Sequence, residues 1–279
     1  GGKAYYVGGY VRDLLLGIEN KDIDIEIHGI TPNQLENILD SLGKRIEIGE
    51  SFGIYAIKGF NIDIAMPRKE KQIGYGHKDF DIIVDPYIGT YEAAKRRDFT
   101  INSIYKDILS NEIIDHFNGV KDLNEKIIRF VDKETFKEDP LRVLRACQFS
   151  SRFNFKISKE TMNICKDIDI TTLSKERIEG ELKKALLKSS KPSIFFNNLR
   201  EMEQLDFWFK ELKDIIGIEQ NPKYHLEGDV WNHTLMSVDA AAAMDKNSSK
   251  FIGEQTSKSY ASFFGVSPAR VSRTVPPTK

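Results

Sequence analysis

Residues 21–28 read KDIDIEIH, so Asp22, Asp24 and Glu26 alternate with Ile23, Ile25 and Ile27. A two-residue period predicts a strand with carboxylates on one face and isoleucines on the other. The same kind of patterning predicts further strands over residues 4–7, 45–48, 54–57, 61–65 and 80–84. Helices are expected over 11–16, after the Gly8-Gly9 turn, and over 32–42, where Thr31 caps and Pro32 takes the tolerated first turn. Residues 67–80, PRKEKQIGYGHKDF, are polar and glycine-bearing and read as a mobile loop. From Tyr91 to about residue 245 the pattern turns helical, with apolar residues three and four apart in 138–153 and 174–187. The expected fold class is therefore α/β plus all-α, a small mixed head followed by a helical body.

The chain has 279 residues, enough for about two domains. Its 40% hydrophobic and 30% charged content suits a globular protein with a real core. No apolar run approaches the roughly 20 residues that cross a bilayer, and no secretion leader is evident. Cys147 and Cys165 lie outside any CxxC and read as reduced thiols, so the cytoplasm is the expected compartment. A net charge of −1 offers no bulk argument for nucleic acid, although a local basic face would suffice to attract one. Residues 246–279 are Ser-rich and basic and read as disordered; the spacing of Ala261, Gly265 and Val271, like that of a helix-turn-helix, is the other reading.

A lone D-x-D is far more often a solvated strand face than a metal site. Its neighbours change the balance. Gly8-Gly9 falls at a strand-to-helix turn, where backbone N–H groups can close on a phosphate, and Arg12 follows one helical turn later. Hard carboxylate oxygens on the next strand suit Mg²⁺. Asp63 in NIDIAM is the expected third carboxylate, with Glu26 the competitor, further along its strand and expected to meet solvent. In KRRDFTINSI, residues 95–104, Arg97 and Asp98 read either as a structural ion pair or, with Asn102, as a triphosphate and sugar site. In EDPLRVLRACQF, residues 138–149, Asp139, Arg142 and Arg145 fall on one helix face, which alone reads as a solvated ion-pair face.

Taken together, GGYVRD, DID, RRDFTIN, FNGVKDL, EDPLRVLR and SKERIEGEL occur in the order found in bacterial class II tRNA nucleotidyltransferases. The chain resembles these CCA-adding enzymes and the related bacterial poly(A) polymerases over roughly residues 4–243. The resemblance implies a polymerase-β-like nucleotidyltransferase head with a mixed sheet over 1–115. A helical neck with a base-recognition helix over 116–185, a helical body over 186–245 and the tail over 246–279 would follow. It implies that Asp22 and Asp24 hold two Mg²⁺ ions and that Gly8, Gly9 and Arg12, helped by Arg97 and Arg145, hold the triphosphate.

By the same resemblance, Asp139 and Arg142 replace a template. A carboxylate accepts from the exocyclic amine and a guanidinium donates to the adjacent ring nitrogen, a pattern shared by C and A and reversed in U and G. The expected function is addition of CCA to tRNA from CTP and ATP. Poly(A) or A-only addition is the near alternative, and a non-catalytic RNA-binding protein is the distant one. A small-molecule nucleotidyltransferase would need neither the helical body nor the Asp139/Arg142 pair.

Gln148 stands where relatives usually carry a further arginine, which leaves one nucleotide contact in question. Enzymes that add only CC have a shortened 67–80 segment, and here it looks full length. Residues 224–242 resemble the start of an HD phosphohydrolase domain whose His-Asp pair does not follow. His225 and His233 are therefore expected to complete no metal site and to support no phosphohydrolase activity. Lys183, Lys184 and Lys188 are candidates for a basic strip facing RNA. No membrane partner is expected, and the oligomeric state is left open.

Overall fold

The computed structural model describes residues 1–47, 53–72 and 80–247. The chain divides into two compact units, one over residues 1–139 and one from Pro140 onward.

The first unit is built on a mixed sheet. Its strands are β1 (Lys3–Tyr6), β2 (Ile23–His28), β3 (Arg45–Glu47), β4 (Ile54–Ile57) and β5 (Ile62–Ala65), together with β8 (Tyr105–Asp107) and β9 (Ile113–Ile114). The order is β3-β4-β5-β2-β1-β8-β9, with β2 and β5 parallel and the neighbours on either side antiparallel. The alternation in β2 does what its period demands. Ile25 and Ile27 pack on a core of Leu35, Leu39, Tyr55, Ile57, Ile64 and Met66, so helix α2 (Pro32–Leu42) covers the isoleucine face. A reciprocal capping box starts α2: Gln34 N–H bonds the Thr31 hydroxyl at 3.3 Å, and the Thr31 N–H bonds the Gln34 side chain at 2.9 Å.

The carboxylate face is covered as well. Tyr5 pairs with Glu26 across β1–β2 and belongs to a second core with Val7, Ala93, Ala94 and Tyr105. Helix α1 (Gly8–Leu15) starts at Gly8 itself, three residues before the expected start, because Gly8 supplies a positive φ of 64° at the turn out of β1. Helix α3 (Gly89–Lys95) brings Ala93 and Ala94 onto the same face.

Two expectations need correction. Residues 68–72, expected to open a polar loop, form a strand instead: β6 (Arg68–Gln72) pairs antiparallel with the expected strand β7 (Phe80–Val84), from Arg68 opposite Val84 to Gln72 opposite Phe80. RKEKQ has no apolar alternation, and it is extended because backbone pairing to an apolar partner overrides its weak propensity. Residues 73–79 of that segment, residue 48 of the third strand and residues 248–279 of the tail lie outside the described residues. The helical pattern also does not begin at Tyr91. Strands β8 and β9, of three and two residues, extend the sheet, too short to leave a periodic trace. Two short helices, α4 (Gly119–Glu125) and α5 (Lys133–Lys137), complete this unit.

The second unit is helical: α6 (Leu141–Phe153), α7 (Lys159–Lys166), α8 (Lys175–Lys188), α9 (Ser193–Glu201), α10 (Lys210–Asp214) and α11 (Val230–Asn247). Helix α6 packs on α8 and α9, and α11 packs on α9. Its core takes Val143, Leu144, Phe195, Phe196, Leu199, Trp231 and Leu235. Asp239 on α11 accepts from the Ser193 N–H at 2.9 Å and from its hydroxyl at 2.6 Å, tying α11 to the start of α9. Among the described residues no helix is long and apolar enough to cross a membrane.

Candidate active site

Parallel pairing of β2 with β5 sets Asp24 beside Asp63 on one sheet face. Asp22 lies exposed just before β2. Burial holds the Asp24 carboxyl above its ordinary value; Arg97 and Arg12 oppose this, while the charges of Asp63 and Asp22 reinforce it. Repulsion of this kind is what a divalent cation relieves. The three carboxylates do not form a tight cage among the described residues. Mg²⁺ fits such an open set, because it is characteristically held by one or two carboxylates together with substrate phosphates and water.

The glycine turn meets this pair directly. Val7 N–H bonds the Asp24 carbonyl at 3.0 Å, fixing the residue after β1 to the start of β2. A Cβ on Gly8 would stand 3.1 Å from an Arg97 guanidinium nitrogen and 3.5 Å from an Asp24 carboxylate oxygen. A Cβ on Gly9 would stand 3.4 Å from the Arg12 guanidinium. The absence of side chains at 8 and 9 thus lets two arginines and Asp24 approach the start of a helix, where unpaired N–H groups favour anions.

Glu26, expected to meet solvent, is buried at 7% exposure. Its carboxylate accepts from Tyr105 OH at 2.9 Å and from an Arg97 terminal nitrogen at 3.0 Å, and pairs with His28 Nε2 at 2.8 Å. Burial pushes its carboxyl upward, but the bond from His28 and the charge of Arg97 outweigh this and hold it below its ordinary value. Tyr5 and Tyr105 roof over the inner end of the strand, so the third acid of the alternation is structural: it anchors Arg97. Arg97 is half-buried, and its Nε is covered without a hydrogen-bond partner. Its pairing with Glu26 links positions 71 residues apart.

Arg12 is 3% exposed and turned into the protein. Its Nε donates to Asp13 at 2.7 Å and a terminal nitrogen donates to the Asn102 amide oxygen, also at 2.7 Å. Asn102 in turn donates to Asp98 at 3.0 Å, and Asp98 accepts the Phe99 N–H at 2.8 Å. From the other side of Asp13, Asn20 donates at 2.9 Å and accepts the Asp22 N–H at 3.0 Å. One chain of polar contacts thus runs from Asp98 to the backbone of Asp22. Sequence reasoning assigned no role to Asp13, although GGYVRD contains it, and nothing in the pattern marks Asn20.

In the second unit Arg145 lies 4.0 Å from Glu181 and over the Phe149 ring at 5.1 Å. Arg142 is partly exposed on α6, and Gln148 is 1% exposed with its amide nitrogen unpartnered. Asp139 ends the first unit. Lys183 and Lys184 are engaged with Glu179 at 3.9 Å and Glu181 at 2.8 Å; Lys188 is exposed.

A mixed sheet with paired aspartates beside a glycine-started helix, followed by helical domains, defines a polymerase-type nucleotidyltransferase. Residues 4–129 match the family model of the poly A polymerase head domain, and residues 154–216 match that of the probable RNA- and SrmB-binding site of polymerase A. The chain belongs to the family of CCA-adding enzymes and poly(A) polymerases. It is 36% identical over 245 residues to the multifunctional CCA protein of Methylobacillus flagellatus, covering 86% of this chain and 58% of that protein. For the multifunctional CCA protein of Nitrosospira multiformis the identity is 34%, with 86% and 57% covered. The chain thus spans under two thirds of the length of these relatives. The Thermotoga maritima CCA-adding enzyme complexed with tRNA_CCA superposes with a TM-score of 0.61 at 25% identity, covering 94% of this chain and 62% of that one. Membership in this polymerase family implies use of a divalent metal.

Proposed function

We propose that the protein adds CCA to the 3′ end of tRNA, drawing on CTP and ATP and releasing pyrophosphate. The observation that carries this reading is the placement of Asp24, Asp63, Gly8 and Arg97 against one another on a single sheet face. The multifunctional CCA relatives direct it to tRNA. We assign the metal to Mg²⁺, held by Asp22 and Asp24. When bound it would acidify the RNA 3′-hydroxyl and neutralise charge on the triphosphate.

The protein's own groups do the rest. Gly8 and Gly9 keep the helix start open to phosphate, and Arg97, held in place by Glu26, presents beside Gly8 the terminal nitrogen that Glu26 does not take. Arg12 is assigned a supporting part: it fixes Asn102 and Asp98, which bound the sugar, while Asp13 and Asn20 steady Asp22. Base choice follows from the motif resemblance, with Asp139 and Arg142 matching the donor–acceptor edge shared by C and A, and Arg145 on phosphate. A mismatched base would leave buried polar groups unpaired, which is a strong ground for refusal. The two buried, unbridged cysteines agree with work in the cytoplasm, a reducing compartment.

The test is incubation with tRNA lacking its terminal triplet, CTP, ATP and Mg²⁺, read by sequencing the product 3′ end. Complete CCA ends support the proposal. AMP incorporation with CTP ignored supports the poly(A) or A-only reading, which the match to a poly A polymerase head keeps in view. RNA binding without incorporation of either nucleotide would leave a binding protein.

A further inference from the structure

The inner end of β2 carries a buried histidine that the proposed reaction does not use. His28 closes the strand on the same face as Asp24 and Glu26, and it is 6% exposed. Tyr5 meets its ring edge-on at 5.4 Å and 87°, and the Tyr105 ring lies 6.3 Å away at 71°. An imidazole buried among aromatic rings is costly unless its polar atoms find partners. The partner is Glu26, whose Oε1 lies 2.8 Å from Nε2 of His28. The same oxygen accepts from Tyr105 OH at 2.9 Å. Oε2 is left for Arg97, accepting from one terminal nitrogen at 3.0 Å. The other terminal nitrogen is the one that a Cβ on Gly8 would approach to 3.1 Å. An ionised carboxylate only accepts, so the His28 ring carries a proton on Nε2.

We infer that His28 is a positioning residue for the bound triphosphate, acting through Glu26 on Arg97. The inference rests on the nucleotidyltransferase reading above and adds to it a group about 13 Å of strand away from Asp24. A glutamate side chain turns about three bonds, so its carboxylate plane is not fixed by the backbone. Two donors on one oxygen, His28 from β2 and Tyr105 from β8, set that plane. Arg97 then has a fixed mooring for one terminal nitrogen, which aims the other at the glycine turn. With one donor removed the carboxylate can swing, and Arg97 keeps its charge but loses its aim. Asp24 is the competing anion, since its carboxylate flanks the same Gly8 position. The effect falls on phosphate oxygens, because neither the proposed metal carboxylates nor the base-reading pair touches His28.

The probe is inorganic tripolyphosphate, which has the charge of a nucleotide's tail without base or sugar, titrated by calorimetry into the full chain with Mg²⁺. His28→Phe should weaken its binding about tenfold, roughly what one hydrogen bond to a charged group contributes. His28→Gln, whose amide N–H can reach the same oxygen, should restore most of the affinity. In an Arg97→Ala background His28→Phe should cost nothing further, because the effect has no other route. In the transfer assay the KM values for CTP and ATP should rise together while that for tRNA stays. Should the unsubstituted chain bind tripolyphosphate in this pattern yet transfer no nucleotide, the CCA reading fails and the inference stands. Imidazole ¹H–¹⁵N correlations give a reading that needs no folded phenylalanine variant. The His28 signal should show a proton on Nε2 and move as tripolyphosphate binds, and at saturation it should stay in place in Arg97→Ala. Unchanged affinity in folded His28→Phe, an equal loss with and without Arg97, or an unmoved His28 signal would overturn the inference and leave a packing residue.

Discussion

The site of the head and the surface helices of the second unit hold charge differently. In the head, charged groups are buried and joined across long stretches of chain: Arg12 reaches Asn102, 90 residues away, and Arg97 reaches Glu26, 71 away. In the helical unit many pairs are local and solvated, such as Lys175 and Lys183 with Glu179 and Lys210 with Asp214, each within one helical turn, while the buried Glu181 also draws Arg145 from another helix. Desolvated charges are costly to strand and hold one geometry, whereas solvated helix pairs contribute little and tolerate loss. A site that must hold like charges close together needs the first kind of support. The second kind is consistent with helices stabilised chiefly by their apolar faces.

Asp24→Asn should break the comparison most sharply. Nucleotide transfer should fall by about a thousandfold or more, because the carboxylate proposed to hold the metal is lost. Metal-free thermal stability at neutral pH should rise. The folded state holds this carboxyl above its ordinary 3.8, so it prefers the protonated form; any stability tied to that proton is present at acid pH and lost as pH climbs through the raised value. The gain in Tm of the variant over the unsubstituted protein should therefore widen from pH 4 to pH 7. An equal Tm at both would remove the crowding argument.

Glu26→Ala tests the other end of the same strand. It leaves Arg97, His28 and Tyr105 without their shared acceptor and should cost about 3 kcal/mol in urea unfolding at pH 7. Here the sign reverses. A carboxyl held below its ordinary 4.5 contributes stability above that value and loses it as pH falls through the depressed one, so the difference between the proteins should shrink on acidification.

Gly8→Ala is expected to cost about 1–2 kcal/mol, since φ is 64° there, and to slow transfer by pressing on Arg97. Unchanged turnover would show that the close approach of Gly8 to the arginine is dispensable. At the lower end, Lys183→Ala should move stability by no more than about 0.5 kcal/mol. If it nonetheless weakens tRNA binding and flattens its salt dependence, the exposed lysines serve RNA rather than the fold.

The strand and helix periods of the chain alone determined much of the fold: β2, α2, β4 and the long helices follow from alternation, a Thr-Pro cap and three-to-four spacing. The order of motifs was enough to place the chain among nucleotidyltransferases. Strand pairs lacking such a period were not legible. RKEKQ is extended because of its partner, and β8 and β9 are too short to repeat anything. At the site, sequence brought Asp22, Asp24 and the glycines together, for they are near neighbours in the chain. It could not say that Glu26, two residues beyond Asp24 and of the same chemistry, lies under Tyr105 as an anchor. Burial is decided by what the other strands and helices lay on top. Nor could it bring Asn20 to Asp22 through Asp13, or seat Glu227 between His225 and His233, since those contacts depend on how turns close. Periodicity records which way a side chain faces; only the packed tertiary structure decides whether that direction ends in water, in another charge or in a roof of aromatic rings.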